Sequence, residues 1–240
     1  MKKLFLAASL FVAATGAFAQ TADDIIAKYA TAIGGKDKLD AIKSVYLEGN
    51  INAQGQQIPI KIWIQNRKSM RVEYTFNGMT GFSIIRTDSG WNYSPFQGQK
   101  QAEPITADQV KEAQPELDAE GALINYKKYG YKVTYEGTDD VDGTDAYKLK
   151  VVVSDSLSET YFIDKTSYLI LRKKTKGTEN GKVVEATEDY SDYQKTPEGY
   201  YFAMGRSGEM GGDTKFTTVK VNTVFDPKLF SPATMSSSSK

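Results

Sequence analysis

From Ser44 onward, apolar residues fall on every second position in one segment after another. Val45, Leu47, Gly49, Ile51 and Ala53 alternate with polar residues apart from Tyr46, and Ile58, Ile60, Ile62 and Ile64 alternate with Pro59, Lys61, Trp63 and Gln65. Met70, Val72, Tyr74 and Phe76 follow, set against Arg71, Glu73 and Thr75. A period of two is that of a strand with one buried face. Turn signals separate the runs: Gln54-Gly55-Gln56, then Asn77-Gly78, whose two positions accept the positive φ of a type I′ turn. Phe82 to Arg86 and Trp91 to Tyr93 complete this first series. A second series runs through Tyr131–Tyr135, Tyr147–Val153, Thr160–Ile163, Tyr168–Lys173, Lys182–Tyr193, Tyr200–Met204 and Lys215–Asn222, with hairpin signals at Asp142-Gly143 and Asn180-Gly181. Strands joined this tightly are antiparallel. The pattern predicts a mainly β, α+β protein: one sheet of about eleven strands with a wet and a buried face, long enough to curl.

The period changes to that of a helix in two places. Thr21 and Asp24 form an acidic relative of the capping box before Ile25, Ile26, Tyr29, Ala30 and Ile33, which share one helical face, and Gly34-Gly35 ends the run. Lys36 to Ile42 adds a turn or two. Thr106 with Gln109 caps a second helical stretch reaching about Lys128, which Pro115 divides into two pieces. Its modest patterning suits a movable cover over the sheet better than a central core helix.

The chain has 240 residues with 30 basic and 30 acidic side chains, no histidine and no cysteine. Thiol nucleophiles, thiolate metal sites, disulfides and a lipidated N-terminal cysteine are thereby excluded, as is the usual general base. Met1-Lys2-Lys3 is a short basic head, Leu4 to Ala14 an apolar run too short to span a bilayer, and Ala17-Phe18-Ala19 a small-x-small site. Residues 1–19 are therefore expected to be a signal peptide cleaved before Gln20, residues 20–235 one domain, and residues 236–240 a disordered tail. Losing Lys2 and Lys3 leaves 28 basic against 30 acidic residues, a charge of −2, which offers nucleic acid no electrostatic footprint. The periplasm is the expected location.

Candidate chemistry is sparse. Asp139, Asp140, Asp142 and Asp145 invite a calcium loop, but alignment on Gly143 puts Thr138 and Leu149 where the anchoring carboxylates belong, so a solvated turn is the better reading. Glu185, Glu188, Asp189 and Asp192 follow a solvated strand pattern rather than that of an acid–base pair. No G-x-S-x-G elbow and no phosphate loop is present, and no catalytic residue, metal ligand or cofactor is assigned. Arg172-Lys173-Lys174-Thr175-Lys176 is the one basic run. It reads as a solvated strand end, or as a transient contact with an anionic membrane surface or acidic partner. The remaining feature is a wide apolar wall of Ile60, Ile62, Ile64, Val72, Tyr74, Phe76, Leu149 and Val151, which either closes a core or lines a hollow for an apolar ligand.

Several stretches carry a family likeness: Ala32-Ile33-Gly34-Gly35, Leu39 to Ser44, Glu48-Gly49, Met70 to Tyr74, Gly90 to Phe96, Val221-Asn222-Thr223 and Phe225 to Phe230. In these the chain resembles the LolA/LolB-like periplasmic lipoprotein carriers, in particular the outer membrane lipoprotein-sorting proteins of Bacteroidetes-type bacteria. The resemblance implies an unclosed antiparallel half-barrel with a helical lid over an apolar cavity, and no chemistry. It implies a lipid or acylated protein as the partner, carried by a monomer, and a strand arginine bonded to the lid. Arg71 is the nearest counterpart of that arginine, with Arg86 and Arg67 as rivals. The alternative is an envelope interaction or sensing module whose hollow is filled by its own side chains.

Overall fold

The computed structural model describes residues 21–179, 182–208 and 212–233. The leader, the Asn180-Gly181 turn and the tail 236–240 lie outside the described residues. Within them the strands are β1 (Ser44–Ala53), β2 (Gln56–Gln65), β3 (Ser69–Phe76), β4 (Met79–Arg86), β5 (Gly90–Tyr93), β6 (Glu103–Pro104), β7 (Lys132–Val141), β8 (Thr144–Ser154), β9 (Leu157–Asp164), β10 (Ile170–Glu179), β11 (Lys182–Lys195), β12 (Tyr201–Gly208) and β13 (Asp213–Val221). The helices are α1 (Ala22–Ala32), α2 (Lys36–Asp40), α3 (Ala107–Glu112) and α4 (Ala122–Tyr129), with 3₁₀ turns at Pro95–Gln97, Gln114–Leu117 and Pro227–Phe230.

All thirteen strands join one open antiparallel sheet in the order β6-β5-β4-β3-β2-β1-β13-β12-β11-β10-β9-β8-β7. The first and last strands of the chain pair at its centre, and β6 and β7 form its two edges. The segment between those edges therefore crosses the sheet from one edge to the other. This is the expected unclosed half-barrel, with thirteen strands rather than about eleven. β6 is a two-residue pairing of Glu103 with Asn92 and Pro104 with Trp91, too short to show a period. Asn77 and Gly78 take the positive φ values, 49° and 75°, that their turn requires. At the seam, β1 steps by one residue against β13 between Glu48 and Gly49. A Cβ on Gly49 would lie 2.3 Å from the Lys215 carbonyl oxygen, so only glycine allows the two strands to approach there.

Both capping boxes form, Thr21 with Asp24 and Thr106 with Gln109. α1 lays Ile25, Ile26 and Ala30 on the sheet's inner face. There Ile25 and Ile26 pack with Ala122 and Leu123 of α4 and with Leu149, Val151, Tyr161 and Ile163. The sequence expectation for the insert needs correction here. It forms three helical pieces, and α4 is a core helix, its Leu123 2% exposed. One buried leucine and one alanine gave α4 too little periodicity to be read as core. The outer face carries its own small core of Phe82, Ile84 and Tyr93 flanked by Trp91 and Ala102. The turn Pro227–Phe230 packs against the same strands β3 and β4.

Candidate functional site

Cross-strand register assigns the inner face. Leu47 pairs Ile62, Ile62 pairs Val72, and Ile60 pairs Tyr74, so Ile60, Ile62, Ile64, Val72, Tyr74 and Phe76 share it. Leu149 pairs Tyr161 on the same face in the other half of the sheet.

The eight wall residues do not share one environment. Leu149 and Val151 are fully buried beneath α1 and α4, so they are core and not accessible lining. Ile60 is buried as well, whereas Ile62, Ile64, Val72, Tyr74 and Phe76 keep part of their surface. Ile62, Ile64 and Val72 pack with Leu117, Ile105 and Ala113 on one side, and Ile62 and Ile64 also pack against the central cluster that contains Leu47 and Phe216. At the other end the Phe96 ring lies 5.5 Å from that of Tyr74 and 5.9 Å from that of Phe76. The Tyr74 hydroxyl is 3.1 Å from the Ser94 hydroxyl. A Cβ on Gly81 would sit 2.9 Å from the Tyr74 ring, so that glycine makes room for it.

Arg71 faces the opposite way. Its Nε donates to Glu73 at 2.7 Å, its Nη1 donates to the Leu229 carbonyl at 3.0 Å, and its guanidinium stacks 4.1 Å from the Phe82 ring centre. Strand alternation places it on the outer face, so it ties the C-terminal turn to the sheet and does not touch the insert. Arg67 makes the contact to the insert instead. Its backbone N–H donates to the Leu117 carbonyl at 2.8 Å, and its Nη2 donates to the Glu120 carboxylate at 3.3 Å with Asp118 3.9 Å away. Asn66 beside it donates to Glu120 and accepts from the Ala119 N–H. The backbone of Arg86 also accepts from Gln114 at 3.0 Å.

The other half of the inner face holds a polar group that includes Glu188 and Lys173, both expected from the sequence on solvated strand positions. Glu159, Tyr161, Lys173, Glu188, Tyr190 and Arg206 share the inner face across β9 to β12. Lys173 Nζ lies 3.9 Å from Glu159 and 3.6 Å from Glu188, and Arg206 Nη1 is 3.8 Å from Glu188. The hydroxyls of Tyr161 and Tyr190 donate to Glu159 and Glu188. Burial, reinforced by the nearby carboxylates, pushes both hydroxyls well above their usual range and keeps them donors. Arg206 was legible, since it continues the Phe202, Met204 alternation. Lys173 was not, because a bulge between Ile170 and Arg172 reverses the parity.

The basic run is split by this geometry. Lys173 points inward, while Arg172 and Lys176 lie outside, paired with Asp189 and Asp142 and with Glu185 respectively. The acidic turn is likewise used up. Asp140 accepts from the Gly143 N–H at 2.9 Å, Asp145 meets Lys165 at 3.3 Å, and Asp139 lies 3.9 Å from Lys148. Two clefts adjoin the insert. One of roughly 1180 Å³ runs from Arg67, Gln109 and Leu117 to Tyr131, Val153 and Leu157, where α3 faces the β8–β9 turn. The other, roughly 460 Å³, lies between α1 and α4 beside Ile26, Ala30 and Ile124. Neither is lined by the eight wall residues. Among the described residues no helix is long and apolar enough to cross a membrane.

An open antiparallel half-barrel with a helical segment strapped from edge to edge across its inner face is the LolA-like fold. A LolA superfamily protein from Nitrosomonas europaea superposes with a TM-score of 0.56 at 12% identity, covering 88% of this chain and 98% of that one. A DUF1329 family protein from Desulfovibrio piger gives 0.55 at 14% identity, covering 88% and 98%. A structure described as an outer membrane lipoprotein-sorting protein domain, from Vibrio parahaemolyticus, gives 0.52 at 15% identity, covering 88% and 96%. No family model matches the sequence, and no curated protein matches it.

Proposed function

We propose that this protein is exported to the periplasm, with cleavage before Gln20, and there binds and carries the apolar chain of a lipid or acylated protein on the inner face of its half-barrel. The observation that carries this reading is the partly exposed row Ile62, Ile64, Val72, Tyr74 and Phe76, on the same face as Leu149 and Val151, which α1 and α4 bury fully. Contiguous apolar surface left uncovered inside a concave sheet is the kind of surface a ligand buries. Each CH₂ placed there contributes about 0.8 kcal/mol, so micromolar affinity needs few polar contacts. The likeness of fold to a lipoprotein-sorting domain and to a LolA superfamily protein supports the same class of cargo. The mechanism is reversible binding without bond making: the Arg67–Glu120 and Asn66–Ala119 contacts hold the insert at the border of the open wall, and the wall desolvates the chain.

The test is extraction of the protein purified from the cell envelope, followed by lipid mass spectrometry and titration of the delipidated protein with the neutral probe N-phenyl-1-naphthylamine. Stoichiometric apolar-chain molecules and saturable probe binding are expected. A well-folded delipidated protein that binds no probe overturns the reading. It would then favour an envelope interaction module with a self-filled core, of which the packed half under α1 and α4 would be one part.

A further inference from the structure

Among the described residues, Arg206 is an inner-face cation with a hydrogen-bond donor left unused. The Arg206 guanidinium lies among three rings, 5.3 Å from the centre of Tyr190, 5.4 Å from Phe202 and 5.3 Å from Phe216. Its Nε is buried with no hydrogen-bond partner. Glu188 faces it at 3.8 Å, too far for a hydrogen bond, and that carboxylate already accepts from Tyr190 and lies 3.6 Å from Lys173. Rings attract a guanidinium through its faces but leave its in-plane N–H donors unsatisfied. The side chain as a whole is 30% exposed.

Its place on the sheet supplies the second half of the inference. Arg206 pairs with Thr214, Thr214 with Ile51, and Ile51 with Ile58, one row of the inner face running from β12 to β2. Three strand spacings, roughly 14 Å, separate Arg206 from the strand that carries Ile60, Ile62 and Ile64. An acyl chain can bridge that distance. From this we infer that Arg206 receives the anionic head, a carboxylate or a phosphate, of a single-chain amphiphile whose tail lies on the half-open wall. The proposal rests on the apolar-chain reading above and adds the chemistry of the head.

The experiment displaces N-phenyl-1-naphthylamine from the delipidated wild type, Arg206→Gln and Arg206→Lys with dodecanoate, dodecyl phosphate and dodecanol. Wild type should prefer at least one anionic chain over dodecanol by about tenfold or more, the worth of one charge-assisted hydrogen bond. Whether dodecanoate or dodecyl phosphate shows the preference identifies the head. Arg206→Gln should lose the preference while keeping its affinity for the neutral probe, and Arg206→Lys should restore part of it. Equal displacement by all three chains in the wild type, or an unchanged preference in Arg206→Gln, overturns the assignment and leaves apolar binding intact. Failure of the wild type to bind the neutral probe overturns the apolar reading itself, and this one with it.

Discussion

Arg71 and Leu229 are 158 positions apart in sequence, yet the arginine's Nη1 donates to the leucine's carbonyl 3.0 Å away, on the sheet face turned away from the helices. With the Glu73 carboxylate held at 2.7 Å, the pair is nearly sealed: the Arg71 side chain is 1% exposed and that of Glu73 is 7%. Removal of one partner of a buried pair leaves an uncompensated charge and costs about 3–5 kcal/mol. Arg71→Leu should therefore lower the unfolding free energy measured in urea by that amount while leaving the probe affinity of the folded fraction unchanged. A loss of affinity without a loss of stability would move Arg71 back to the ligand face.

Two substitutions of the same kind separate the open wall from the filled core. Ile62→Glu places a carboxylate on partly exposed surface, so the protein should fold, with reduced stability, and lose probe binding. Leu149→Glu places one beneath Ile25 and Leu123, where desolvation is several kcal/mol, and should abolish folding. Circular dichroism and titration on both proteins check this. A folded Leu149→Glu, or an unfolded Ile62→Glu, would reverse the assignment of the two halves.

Arg67 is expected to govern the insert. Its guanidinium serves Glu120, whose side chain is 2% exposed. Arg67→Ala should cost about 1–3 kcal/mol by leaving that carboxylate with fewer donors. Amide exchange across residues 113–125 should accelerate more than exchange in β8, because the loss falls on the insert's anchor and not on the sheet. Uniform acceleration would argue against a separate anchoring role.

Asp118 gives the insert a pH dependence. Burial pushes its carboxyl above the usual range, against the opposing hydrogen bonds from Asn125 and the Glu120 N–H, and the nearby Glu120 charge adds to the rise while Arg67 offsets it. A raised carboxyl binds its proton more tightly in the folded state. Above the ordinary value of 3.8 the native protein then holds more protons than the unfolded chain, and this contribution to stability is lost as pH rises through the folded value. Asp118→Asn removes the group, so the melting temperature of the variant relative to wild type should be higher at pH 6 than at pH 4. Parallel melting curves across that range would contradict it.

The sequence by itself determined the strands, because a period of two over Ile58–Ile64 and Met70–Phe76 can bury only one face. It determined both capping boxes and the Asn77-Gly78 turn as well, since each depends on residues at most three positions apart. It placed Arg71 and Ile62 on opposite faces without saying what covers either. That was settled by contacts between distant segments: α1 and α4 filling one half of the inner face, and the turn Pro227–Phe230 closing the outer one. Lys173 shows the limit most sharply. One bulge residue between Ile170 and Arg172 turns its side chain into the hollow, and no local pattern records a bulge, because the ladder with β9 and β11 fixes it. Where two faces compete for cover, alternation tells which residues travel together, and only the packing of the whole chain decides which of them remain open.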